Sequence, residues 1–145
     1  MNNQENNDNR IPKIGEIYMV NFSGSNNEQT GYRPGIIIQN NTGNAFSPNV
    51  IVIPLTTSLK KACQPTHVII YAHDSSLIRD SMALCENPEC ISKSKLDKYI
   101  GVLSDDYMEK IASAFILATS IVSFITPELF CVLRQKADLL NTVSI

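Results

Sequence analysis

Four apolar runs crowd into the first half of the chain, and their spacing limits how they can be joined. They are GEIYMVNF (15–22), GIIIQN opened by Pro34, VIVIPL (50–55) and THVIIY (66–71). A parallel strand pair needs a crossover of about a dozen residues or more, usually a helix. The stretches between these runs are too short for that and are rich in turn formers, as in SGSNNEQT (23–30) and NNTGNAFSP (40–48). The runs are therefore expected to pair as antiparallel strands. Ile17 and Met19 alternate with Tyr18, Val20 and Phe22, which predicts a first strand covered at least partly on both faces. The wholly apolar third run predicts a central strand or one closed into a barrel. Ser81–Leu84 is a short fifth candidate, and Tyr99–Val102 is one more.

The period changes after Ser104. That residue suits a helix N-cap, and Asp105 and Asp106 suit the positive end of a helix. Met108, Ile111, Phe115, Ala118 and Val122 then recur at helical spacing, and Leu117, Ile121 and Ile125 widen the stripe, so this helix is expected to be buried on more than one side. Thr126-Pro127-Glu128 is a fresh start signal for a second, short helix carrying Leu129, Val132, Leu133, Leu139 and Leu140. The expected class is α+β, mainly β: a small antiparallel barrel with C-terminal helices.

A chain of 145 residues fits one domain with a real core. With 43% apolar and 18% charged residues it is neither disordered nor collagen-like, and a net charge of −2 excludes a globally basic nucleic-acid binder. Any nucleic-acid contact must use local positive charge, for which Arg33, Lys60, Lys61, Arg79, Lys93 and Lys95 are the candidates. The Asn-rich start lacks the apolar core of a signal peptide and reads as a disordered leader over 1–13. The uncharged run Ile111–Pro127 is short and polar for a membrane span and fits a buried helix. Cys63, Cys85, Cys90 and Cys131 show no metal-type spacing, so free cytosolic thiols and no metal are expected.

None of the common catalytic motifs is present. Arg33 sits between a polar loop and a strand, where its planar fork suits either a phosphate or an ion pair with Glu16 or Glu28. Thr56, Thr57 and Ser58 follow the third strand, placed to bind a phosphate or to cap the loop that carries Lys60 and Lys61. Arg79 precedes Asp80 and suits local pairing as well as an anion, and His67 lies within the fourth strand, where a lone His is more often structural.

The order of these segments resembles one family. A GEIY strand, a polar loop, YRP before an apolar strand and QN, then GNAFSP, an apolar strand ending in Thr56, KA…PTHV, and RDS before Leu84 and Glu86 are similar to the MazF/PemK (Kid-like) toxins of bacterial toxin–antitoxin modules. The resemblance spans about residues 13–123 and implies an SH3-like or CcdB-like barrel. It further implies a cytoplasmic, metal-free and cofactor-free endoribonuclease cutting single-stranded RNA by attack of the ribose 2′-OH, which leaves 2′,3′-cyclic phosphate and 5′-OH ends. A homodimer and a cognate antitoxin are implied as partners, and no membrane.

Residue by residue, the family's catalytic Arg falls on Arg33 and its catalytic Thr on Thr56. RNA contacts are expected at Asn26, Asn27, Gln29, Asn40, Phe46, Ser47, Thr57, Lys60, Lys61 and Arg79. The implied toxin domain covers 14–125, with 126–145 as a helical extension. The chain departs from the family pattern at Pro88 and Glu89, where a strand contributing to the dimer surface and the RNA face is usual and an Arg is common. CcdB, which poisons gyrase without RNA chemistry, offers an alternative reading of the same barrel, as does a catalytically degenerate antitoxin-binding paralogue; the Arg33/Thr56 pair favours the nuclease.

Overall fold

Every strand pairing in the computed structural model is antiparallel, as the short connections require. The structure describes residues 10–22 and 31–143, so most of the leader and the loop holding Asn26, Asn27 and Gln29 lie outside it. Seven strands, β1 (Glu16–Phe22), β2 (Gly31–Ile37), β3 (Asn49–Thr56), β4 (His67–Ile70), β5 (Ser81–Leu84), β6 (Glu89–Ser92) and β7 (Leu96–Val102), run in the order β4-β5-β3-β2-β1-β7, with β6 also on β3. The path does not return on itself, so the expected barrel is realised as an open one.

Alternation along the strands feeds two cores. Ile17, Ile36, Ile53, Leu55 and Ile70 pack with Tyr107, Ile111 and Ala114 of helix α2 (Asp105–Leu117), while Tyr18, Val20, Phe22, Ile37, Val50 and Val52 form a second cluster with Ile91. The first strand is covered on both faces and β3 is central, both as its pattern predicts. Burying side chains of this size stabilises by roughly 1.5–3 kcal/mol each before entropy is counted.

Several expectations need correction. The NNTGNAFSP stretch is a one-and-a-half-turn helix, α1 (Asn41–Phe46), rather than a run of turns. Asn40 caps it by accepting from the Gly43 N–H at 2.9 Å, and the fully buried Asn44 donates to the Gln39 carbonyl at 2.8 Å, so capping overrides local turn preference. Strand β2 begins at Gly31, not after Pro34. β6 forms at Glu89–Ser92 despite the departure from the family pattern at Pro88 and Glu89, and β7 starts three residues earlier than Tyr99.

The long apolar stripe after Ser104 does not make one helix. Ser104 caps α2 as expected, accepting from the Tyr107 N–H at 3.3 Å, but α2 stops at Leu117, and a 3₁₀ turn follows over Ile121–Phe124. Only one face is covered: Leu117, Ile121, Val122 and Phe124 are exposed. Helix α3 (Pro127–Asn141) starts where predicted, with Thr126 accepting from the Leu129 N–H at 3.1 Å. Its C-terminal end meets α1, where the Asn41 N–H donates to Asn141 Oδ1 at 3.0 Å and the Thr42 hydroxyl donates to the Leu140 carbonyl at 2.8 Å. No helix among the described residues is long and apolar enough to cross a membrane.

Candidate functional site

Two prolines open the site. Strands β2 and β3 are in register over Gly35↔Pro54, Ile36↔Ile53 and Ile37↔Val52, and the ladder stops there. Proline has no N–H to donate, so Pro34 and Pro54 are poor material for continuing it. On one side Pro34 still lies opposite Met19 of β1; on the other, β3 turns to β5 through Leu55↔Ala83 and Thr56↔Met82. Two register steps beyond Gly35↔Pro54 stand Arg33 and Thr56, and they line one cavity of about 260 Å³ with Tyr32, Pro34, Thr57 and Ser81. Residues more than twenty positions apart in sequence thus meet because a ladder ends between them.

Each wall has a fixed hydrogen-bonding state. The Ser58 N–H donates to Thr56 Oγ1 at 3.1 Å, which caps the loop and leaves the Thr56 O–H to donate elsewhere. Tyr32 donates its hydroxyl proton to Asp97 Oδ2, and that bond, with some desolvation, pushes its pKa up to about 12, so the phenol stays neutral. Ser81 is buried and donates to the Arg79 carbonyl at 3.0 Å. Glu16, considered above as a partner of Arg33, binds Arg10 at 2.6 Å and accepts from the Lys13 N–H at 2.6 Å. His67 is structural: its Nε2 lies 2.7 Å from Glu86 and its Nδ1 2.9 Å from the Lys61 carbonyl.

The groups lining this cavity, a guanidinium and hydroxyls, suit an anion. A guanidinium offers two parallel donors to a phosphate, and Thr56 offers a third. Arg79 and Thr57 line an adjoining cavity together with Lys98, which the sequence reading did not single out. Tyr32 and Ser81 were missed as well; Ser81 is encoded only by its pairing in β5, and Tyr32 only by its position beside Arg33.

The remaining candidates lie elsewhere in the chain. Asn40, Phe46 and Ser47 belong to α1 and its caps, at the start of β3, while Thr56 is at its other end about 23 Å away by strand rise. Phe46 is exposed there, and Ser47 accepts from the Asn49 N–H at 3.1 Å. Lys60 and Lys61 sit in the exposed loop after β3, and Lys61 adopts a left-handed backbone with φ of 60°. Lys93 and Lys95 occupy the turn between β6 and β7 and line neither cavity. Pro88 precedes β6, and Glu89 faces Val52 in the ladder, so the departure from the family pattern also lies outside both linings.

Comparison with known proteins places the chain in a family. The family described as the PemK-like, MazF-like toxin of type II toxin–antitoxin systems matches residues 13–119. The chain belongs to that family. Among its relatives, the endoribonuclease EndoA of Bacillus subtilis (strain 168) is 39% identical over 117 residues, covering 79% of this chain and 99% of that protein. A mycobacterial endoribonuclease solved in complex with its cognate antitoxin is 27% identical with a TM-score of 0.62, covering 74% of this chain and 93% of its own. MazF from Deinococcus radiodurans, at 19% identity and a TM-score of 0.67 over 79% of this chain and 98% of its own, shares the fold. The match ends at residue 119, so α3 of this PemK/MazF-type chain lies outside the matched residues.

Proposed function

We propose that this chain is the toxin of a type II toxin–antitoxin module and acts as a sequence-specific endoribonuclease on single-stranded RNA. The observation that carries the reading is the meeting of Arg33 and Thr56 in one cavity between β2 and β3. In the proposed reaction the ribose 2′-oxygen attacks the adjacent phosphorus and the P–O5′ bond breaks, leaving a 2′,3′-cyclic phosphate and a 5′-hydroxyl. The 2′-OH gives up its proton and the departing O5′ takes one up. Charge builds on the non-bridging oxygens in between, and the Arg33 fork and the Thr56 O–H meet it there. The contribution assigned to Arg33 is electrostatic, a planar pair of donors on the phosphate oxygens. The reaction is proposed to need no metal ion or cofactor.

A cognate antitoxin and a second copy of the chain are the proposed protein partners, in the cytoplasm. The relative solved with its antitoxin supports the first. Support for the second comes from apolar side chains left exposed on one chain, among them Leu117, Ile121, Phe124, Phe130 and Leu139. Incubating the purified protein with unstructured RNA in EDTA, followed by end-group analysis, tests the reading. Fragments ending in 2′,3′-cyclic phosphate and 5′-OH are expected. Intact RNA, or 5′-phosphate ends, would contradict it.

A further inference from the structure

The strand that ends at Thr56 runs directly into a loop, 57–66, that returns to β4 at His67. The start of this loop belongs to the site: Thr57 lines both cavities, and the Ser58 N–H donates to Thr56 Oγ1. Its middle is strained. Lys61, with φ of 60°, is the one non-glycine residue of positive φ among the described residues. A residue with a Cβ keeps that conformation only where its surroundings over-determine it. Here two groups fix the Lys61 carbonyl: the Gln64 N–H donates to it at 3.2 Å, and His67 Nδ1 lies 2.9 Å from it.

The His67 ring is held in turn from outside the loop. Its Nε2 lies 2.7 Å from Oε1 of Glu86, in the turn after β5, and the imidazole is only 6% exposed. Both ring nitrogens therefore face oxygen acceptors. A neutral imidazole has one N–H and one lone pair. With the N–H on the Lys61 carbonyl, the lone pair would meet the carboxylate; with the other tautomer, it would meet the carbonyl. A second ring proton removes the conflict, because an imidazolium donates at both nitrogens.

We propose that His67 and Glu86 are positioning residues for the cleavage site, clamping the strained turn at Lys61 so that Ser58 stays on Thr56 and Thr57 stays in the cavity wall. The inference rests on the RNA-cleaving reading above. Neither residue touches the reacting phosphate; both act through the loop. Glu86 keeps the second proton on His67, the imidazolium holds the Lys61 carbonyl, and the held turn fixes the chain leaving β3. Thr56 then presents its O–H in one direction, which matters because a misplacement of about 1 Å can cost roughly 100-fold in rate.

The test uses the intact protein with labelled nitrogen and a short unstructured RNA. NMR of the free parent chain should find a proton on both ring nitrogens of His67 and slow hydrogen exchange at the Ser58 amide. Glu86→Ala should speed that exchange and lower kcat, each roughly tenfold, with little change in KM. Glu86→Gln should restore most of both losses, because a carboxamide donates to a neutral Nε2 while the Nδ1 proton stays on the carbonyl. Adding Lys61→Gly to Glu86→Ala should also recover rate, measured against Lys61→Gly alone, since glycine takes the left-handed turn without a clamp. A bare ring nitrogen in the parent chain, or Glu86→Ala with unchanged kcat and Ser58 exchange, would overturn the positioning role and leave the nuclease reading standing. A loss of circular dichroism in Glu86→Ala that neither Glu86→Gln nor Lys61→Gly reverses would make the pair part of the fold alone and overturn it as well. RNA left intact by the parent chain would overturn the nuclease reading and the positioning role together.

Discussion

At the scale of single residues, the account turns on groups whose surroundings fix their state. Thr56 accepts from the Ser58 N–H through its Oγ1, which leaves its O–H to donate to the phosphate in the proposed reaction. Thr56→Ala removes that donor and should slow cleavage roughly 100-fold or more, while Thr56→Ser should restore most of the rate; steady-state kinetics of both variants checks this. Gly101 works at a distance. Its missing side chain makes room for Ser76, and Gly101→Ala would push the loop carrying Ile78 and Arg79. The expected outcome is a higher KM for RNA with a folded protein, read from kinetics beside circular dichroism.

Among elements, legibility followed the kind of signal. Strands β1 and β3 and the caps at Ser104 and Thr126 were readable because alternation and capping are local. α1 was not, since Asn, Gly and Ser favour turns until Asn40 caps the segment and Asn44 is buried under it. β6 was hidden because Pro88 breaks the pattern just ahead of it. Arg33 and Thr56 were legible through family resemblance, but the reason they meet, a ladder ended by prolines, exists only in the pairing of β2 with β3. Lys98 reaches the site on β7 after two irregularities in its register with β1, and no sequence pattern encodes those.

The unburied face of α2 and α3 also carries a prediction. Phe130→Asp and Leu133→Asp place charge on exposed apolar positions of α3 and should leave the fold intact. Sedimentation velocity should show the parent chain as a dimer and these variants with weakened self-association; unchanged sedimentation would place α3 outside the interface.

For the whole molecule, the net charge of −2 now has a narrower meaning. Arg33, Arg79 and Lys98 gather at two joined cavities, while Asp105, Asp106 and Glu109 lie on α2. Global stability has an alkaline limit of definite sign. Burial and the neighbouring Glu16 push the Tyr18 hydroxyl up to about 12 from its usual 10, and burial pushes the Cys85 thiol up to about 12. Both groups favour their protonated forms in the fold, so this contribution is intact below their unfolded values and lost as pH rises toward 12. Urea midpoints should therefore fall between pH 10 and 12, and Tyr18→Phe should flatten that fall. The central claim is that Arg33 stabilises the charge of the reacting phosphate, and the single-turnover cleavage rate of Arg33→Ala in EDTA tests it most directly. A loss of roughly 100- to 1000-fold with an unchanged melting temperature is predicted; an undiminished rate would contradict it.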